Sequence, residues 1–153
     1  MELKNVSRYF DDAKTNFAIN GDELDPYIKD FILDINKYKD FVSTWSCEGH
    51  IDRNTSYLCF LVSPGLWDMF WYEIYPKYKK FCRYRQGCNV TISYCKVNAR
   101  WNRGSIRFGN KDYRYKSDFW DFIFTEFIQF FEKYSVKEDV ELNLKIRDYD
   151  QLR

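Results

Sequence analysis

The segment Tyr57-Leu58-Cys59-Phe60-Leu61-Val62 is a near-continuous apolar run, and Ser63-Pro64-Gly65 ends it. A run of this length is typical of a buried strand and far too short to span a membrane. The preceding segment, Val42 to Cys47, is short and β-prone, and the polar stretch 48–56 separates the two. We therefore expect two neighbouring strands joined by a polar loop.

Three further segments carry apolar residues at helical spacing. The first extends from Pro26 to Lys39, with Asp25 as its expected N-cap. The second begins at Leu66 and is expected to reach about Phe81, with Pro76 kinking or shortening it. The third begins at a Ser117-Asp118 cap and continues to Tyr134. These segments predict two to three helices that pack on a sheet.

The remaining strands are predicted from the alternation of apolar and polar residues. Asn89 to Val97 alternates apolar and polar residues, Asn102-Arg103-Gly104 suits a hairpin turn, and Ser105 to Phe108 is the expected return strand. A C-terminal strand is expected near 139–147, as part of the same sheet, because Val140 to Ile146 alternates regularly. We predict a single-domain α+β fold over residues 1–153, with a mixed or mostly antiparallel sheet.

Composition excludes several classes of protein. A hydrophobic share of 45% is too high for a disordered chain, and 21% aromatic residues suit a core built from large rings. The sequence shows neither a secretion signal nor a membrane span, and its five cysteines include no Cys-x-x-Cys pair. We expect free thiols, no metal, no cofactor and a cytoplasmic protein, placed in the host cytoplasm if the chain is viral.

Charge is distributed unevenly along a chain whose net charge is only +1. Residues 77–116 hold 12 basic side chains against the single acid Asp112, whereas both flanking thirds are acidic. We call residues 77–116 the basic block. Cations neutralise phosphate, and the aromatic rings interleaved among them can stack on bases. Alternatively, the block pairs with the acids of its flanks and forms an ordinary mixed surface.

If the basic block is a binding site, its residues divide into two roles. Guanidinium groups grip phosphate, and rings stack on bases. The expected phosphate ligands are Arg83, Arg85, Arg100, Arg103 and Arg107, and the expected stacking residues are Trp101 and Tyr113.

A second candidate feature is the strand end and loop from Ser43 to His50. It gathers Trp45, Cys47, Glu48 and the only histidine of the chain, and Gly49 allows an unusual backbone angle. Three interpretations stay open. Cys47 and His50 could form a nucleophile and its base, the loop could wall a binding site, or Cys47 could be a small buried hydrophobe beside a plain turn.

The run Ser46-Cys47-Glu48-Gly49-His50 resembles the Ser-Cys-x-Gly-Arg signature of a wybutosine-pathway family of S-adenosylmethionine-dependent tRNA methyltransferases. Ser46, Cys47 and Gly49 match, and His50 stands where that family has arginine. The resemblance implies an RNA-modifying role. In composition, the chain is also similar to small accessory proteins of bacteriophages, many of which bind a host enzyme or sequester a nucleotide.

The leading hypothesis is a non-enzymatic binding protein that recognises a phosphate-bearing ligand, a nucleotide or RNA, through the basic block. If the chain comes from a bacteriophage, this binding protein would antagonise a host system. One alternative is an RNA- or nucleotide-modifying enzyme with Cys47, Glu48 and His50 at its centre. Another is a protein-binding inhibitor of a host nucleic-acid enzyme. A nucleotide or RNA partner is expected, a host protein is a further candidate, no membrane partner is expected, and the oligomeric state is open.

Overall fold

A computed structural model describes residues 2–3, 23–47, 49, 55–85, 88–96, 101–110, 115–138, 140–141 and 145–146. In chain order, the elements are β1 (Glu2–Leu3), β2 (Glu23–Leu24), a 3-10 turn (Pro26–Ile28), α1 (Lys29–Ile35), β3 (Phe41–Cys47), β4 (Thr55–Val62), α2 (Pro64–Arg83), β5 (Cys88–Lys96), β6 (Asn102–Asn110), α3 (Lys116–Tyr134), β7 (Val140–Glu141) and β8 (Lys145–Ile146).

The centre of the fold is a four-stranded antiparallel sheet in the order β3-β4-β6-β5. β6 lies between β4 and β5, so the helix α2 connects two strands that are not neighbours. The sheet and its three α-helices confirm the α+β class expected from the sequence. Within the described chain, β3 and β5 are the two edges of this sheet.

One face of the sheet packs against the helices. Leu58, Phe60 and Val62 of β4, with Ile106 and Phe108 of β6, are fully buried members of the hydrophobic core. Side chains alternate between the faces of a strand, so the intervening positions of β4 and β6 point to the opposite face. This alternation decides on which side each charged side chain of β6 lies.

Aromatic rings fill the space between the sheet and the helices, as the composition predicts. Phe70 of α2 contacts Phe127 and Phe130 of α3 edge-on, with centroids 5.1 and 5.2 Å apart. Phe60 reaches the same cluster, 5.4 Å from Phe127. Edge-to-face pairs add to the burial energy of the rings, so this cluster holds α2 at a fixed position over β4 and β6.

The helix boundaries differ from those expected. α1 is shorter than the expected helix from Pro26 to Lys39. It begins after the 3-10 turn and ends at Ile35, and the side chain of the next residue, Asn36, donates hydrogen bonds to Ile32 O and Ser43 Oγ. The capping predictions were wrong. Ile28 occupies the N-cap of α1 instead of Asp25, and Tyr115 that of α3, so the Ser117-Asp118 pair lies inside its first turn.

Pro76 was expected to kink or shorten α2, and it does not shorten the helix. The helix continues for two turns beyond it, to Arg83. Pro76 is exposed, and Tyr78 and Phe81 beyond it are buried in the core. Burial of these two rings stabilises the last turns by more than the roughly 3 kcal/mol that an interior proline costs.

Two strand predictions need correction. Asn102 to Gly104 is not a turn but the start of β6, since Asn102 already pairs with Lys96. Val140–Glu141 and Lys145–Ile146 are strands, as expected, but they pair in parallel with β1 and β2 and not with the main sheet. The expected single strand near 139–147 therefore corresponds to two short strands, each paired with a different partner strand. Residues 139, 142–144 and 147 lie outside the described chain.

Candidate functional site

A cleft of about 860 Å³ lies between α2 and the edge strand β5. We call it the α2–β5 cleft. Its lining from α2 is Trp67, Asp68, Trp71, Tyr72, Tyr75, Tyr78, Lys79, Cys82 and Arg83, and its lining from β5 is Ile92 and Tyr94.

The helical repeat explains why one side of α2 forms this wall. Residues four apart lie on the same side of a helix, one above the other, at a rise of about 6 Å. Trp67, Trp71, Tyr75, Lys79 and Arg83 follow that spacing without a gap. The wall therefore changes along the helix from indole to phenol to cation.

The floor of the cleft is a cluster of three rings. Trp67 and Trp71 meet edge-on with centroids 5.4 Å apart. Tyr94 of β5 leans on both, at 6.3 Å from Trp67 and 5.8 Å from Trp71. Trp67 is buried, and Trp71 is half-buried. The cluster joins the helix to the strand and gives the cleft a fixed aromatic base.

Three tyrosines of the cleft lining expose aromatic surface to solvent. Tyr72 is 82% exposed, Tyr75 46% and Tyr94 68%. Together with Tyr84, directly after α2, they are four of the six large exposed hydrophobic residues in the described chain. Exposed apolar surface gathered at one place marks an interaction site more often than scattered exposure does.

Two cations stand at the C-terminal end of the α2 wall. The Nζ of Lys79 lies 5.5 Å from the centroid of the Tyr75 ring. Arg83 is exposed one turn further along. No carboxylate within the described chain forms an ion pair with either group. Asp68 lies at the other end of the cleft, so the lining is basic at one end and acidic at the other.

Other cations of the basic block are engaged in ion pairs. Lys77 Nζ lies 2.7 Å from Glu126. Arg85 donates to Asp118 at 3.2 and 3.3 Å and to the backbone oxygen of Phe81 at 2.7 Å. Its guanidinium carbon also lies 3.7 Å from the Phe81 ring centroid. Part of the basic block therefore forms ion pairs with acidic residues of its flanks. Arg85 links the end of α2 to α3 and does not face a ligand.

Arg103 and Arg107 lie on the other face of the sheet from Arg83. They occupy positions of β6 that alternate with the core residues Ile106 and Phe108. Both arginines are exposed. The sequence suggested that these arginines bind phosphate together. Arg83 is instead separated from Arg103 and Arg107 by the thickness of the sheet.

Three other predicted site residues do not line the α2–β5 cleft. Trp45 and Cys47 belong to β3, at the opposite edge of the sheet, and Cys47 is buried with 3% exposed. Trp101, a predicted stacking residue, is 1% exposed and so buried. The remaining four, Glu48, His50, Arg100 and Tyr113, lie outside the described residues.

Most residues that line the cleft were not among the predicted site residues. Trp71, Tyr72 and Tyr75 precede the basic block, and the largely exposed Tyr94 lies within it but was not among the expected stacking residues. One signal was available, since Tyr72 and Tyr75 fall off the apolar stripe of α2 that contains the buried Phe70 and Ile74. Aromatic rings on the polar side of an amphipathic helix do not pack in the core, so they indicate a binding surface.

The described part of the chain contains no helix long and apolar enough to cross a membrane, and no cluster of three potential metal ligands. Neither a family model, nor a curated protein sequence, nor a solved structure matches this chain. The chemistry of the α2–β5 cleft is therefore the basis for assigning a function.

Proposed function

We propose that this protein is a non-enzymatic binding protein that holds a phosphate-bearing aromatic ligand, a nucleotide or RNA, in the α2–β5 cleft. The observation that carries the proposal is the continuity of one wall. Exposed tyrosines along α2 lead directly to Lys79 and Arg83, and no described carboxylate neutralises these two cations.

The two parts of the wall match the two parts of such a ligand. A base stacks on a tyrosine or tryptophan ring for about 1–3 kcal/mol, largely independent of sequence. A phosphate is held by Lys79 and Arg83 through charge-assisted hydrogen bonds. The carboxylate of Asp68 repels phosphate from the opposite end, so the ligand is oriented with its base toward Trp67 and its phosphate toward Arg83.

Tryptophan fluorescence provides the test, because Trp67 and Trp71 form the floor of the cleft. We would titrate the protein with uridine monophosphate and with uridine. The wild type should bind the monophosphate more tightly than the nucleoside. The double variant Lys79→Ala/Arg83→Ala should bind both equally weakly.

The matched control is Lys37→Ala/Lys39→Ala, which removes the same charge from two exposed lysines between α1 and β3. It should behave like the wild type. If Lys79→Ala/Arg83→Ala keeps the wild-type preference for the monophosphate, the cations of the cleft do not hold phosphate and the proposal is wrong.

A protein partner is a second candidate. Exposed tyrosines beside an arginine are the residue types that dominate binding energy at protein interfaces, and Tyr72, Tyr75 and Arg83 provide them. In that case a host enzyme would be bound by the same surface. Recovery of one stoichiometric protein from nuclease-treated lysate, lost with Tyr72→Ala/Tyr75→Ala, would support this candidate over the first.

A further inference from the structure

The described part of the chain presents a cationic surface on each face of the sheet. The first is the α2–β5 cleft with Lys79 and Arg83. The second is formed by the exposed side chains of Arg103 and Arg107 of β6. We propose, resting on the proposed function, that the ligand is a single-stranded nucleic acid that passes around the β5 edge and contacts both surfaces.

The strand β5 links the two surfaces because its side chains alternate. Ile92 and Tyr94 line the cleft. Ser93 and Cys95 point to the opposite face, where they pair with Ser105 and Arg103 of β6. Ser93, Tyr94 and Cys95 are all exposed. A chain leaving the cleft over Tyr94 therefore meets the second surface after crossing one strand.

The second surface is defined by two exposed guanidinium groups. Arg103 and Arg107 are four residues apart on one strand, about 13 Å, which corresponds to about four phosphates of a stacked strand. Ser105 between them is buried and forms a hydrogen bond with the exposed Ser93 at 2.5 Å. The guanidinium carbon of Arg107 lies 4.8 Å from the Tyr57 ring centroid, which holds it over the sheet.

This arrangement fits a single strand better than other phosphate-bearing ligands. A mononucleotide cannot reach both faces of a sheet at once. A duplex keeps its bases stacked on each other, whereas a single strand offers its bases to Tyr72, Tyr75 and Tyr94. Electrostatic attraction stays local, since the whole chain carries a net charge of only +1.

The test is a length series of oligouridylates, from uridine monophosphate to about twelve nucleotides, a span within the usual site sizes. The wild-type affinity should rise with length. Arg103→Ala/Arg107→Ala should bind uridine monophosphate as the wild type does. It should bind the longest oligomer roughly tenfold more weakly, with the slope of log K against log salt reduced by about 1.4. Lys37→Ala/Lys39→Ala is again the matched control.

The outcomes separate this inference from the proposed function. If Arg103→Ala/Arg107→Ala binds the longest oligomer with wild-type affinity and salt slope while Lys79→Ala/Arg83→Ala weakens it, the ligand stays in the cleft and only the inference fails. If Lys79→Ala/Arg83→Ala weakens binding to no probe of the series, the proposed function itself fails. Equal affinity for an acidic peptide of matched charge would also overturn the inference.

Discussion

A β-carbon placed on Gly104 of β6 would lie 3.0 Å from Cζ2 of Trp71 on α2. It would also lie 2.9 Å from Cε2 of Phe60 on β4. The indole at the floor of the α2–β5 cleft therefore rests directly on the backbone of the sheet. Position 104 is glycine because this close approach leaves no room for a side chain.

We expect Gly104→Ala to destabilise the protein by about 1–3 kcal/mol, since two rings must move to admit one methyl group. The displaced indole should also change tryptophan fluorescence and weaken ligand binding. Gly65→Ala is the matched control, because a β-carbon there meets no atom within 4 Å. Urea denaturation followed by fluorescence measures both variants. Equal stability of the two would show that the packing at position 104 is not tight.

Asn36 links α1 to β3 through three buried hydrogen bonds. Its amide nitrogen donates to Ile32 O and Ser43 Oγ, both at 2.8 Å, and its oxygen accepts from Ser43 N at 2.9 Å. We expect Asn36→Ala to cost about 3 kcal/mol and Ser43→Ala about 1 kcal/mol, because the second change removes a single bond. Thermal unfolding gives both values, and a Ser43→Ala loss as large as that of Asn36→Ala would contradict this assignment.

Arg83 and Arg85 should differ in what they do, although they lie two residues apart. Arg85→Ala should lower stability by about 1 kcal/mol, because it removes the pair with Asp118 and the contact with Phe81, and it should leave ligand affinity unchanged. Arg83→Ala should do the reverse, with stability unchanged to within about 0.5 kcal/mol and affinity reduced. Calorimetry and titration of the same two variants decide this. Loss of binding with Arg85→Ala alone would reverse the assignment.

Tyr38 should make the free energy of unfolding depend on pH in the alkaline range. Burial raises the pKa of its phenol above the ordinary value near 10, although the charge of Lys137 opposes the shift. The unfolded chain therefore ionises first, so the contribution of Tyr38 is complete below pH 10 and is lost as the pH rises through its folded pKa.

Lys137 adds to the same alkaline loss, since its hydrogen bond to Asp34 raises its pKa. The Tyr38→Phe variant isolates the phenol. Its unfolding free energy should fall less steeply than that of the wild type above pH 10. Parallel curves for the two proteins would show that the phenol does not contribute.

The fold could be predicted where local pattern and tertiary packing agree. The apolar run at Tyr57–Val62 and the helix ending at Tyr134 were both identified correctly. Prediction failed at Pro76, which does not shorten α2 because buried rings follow it, and at Gly104, where close packing requires glycine without a turn.

The candidate site was harder to predict, because it depends on which face of an element each residue occupies. The basic block includes Lys79 and Arg83, which line the α2–β5 cleft. Its arginines could not be assigned to different faces of the sheet without the register of β5 and β6, which places Arg103 opposite Cys95. Pairing of Arg85 with Asp118 depends likewise on the approach of α2 to α3.

The most direct test of the central claim is a chemical-shift map of the α2–β5 cleft. Protein labelled with ¹⁵N would be titrated with uridine monophosphate, and the amide and indole N–H signals followed. The account predicts that the largest shifts occur at Trp71, Lys79, Arg83 and Tyr94, and that they are lost in Lys79→Ala/Arg83→Ala. Shifts concentrated on α1, or no shifts at any ligand concentration, would contradict it.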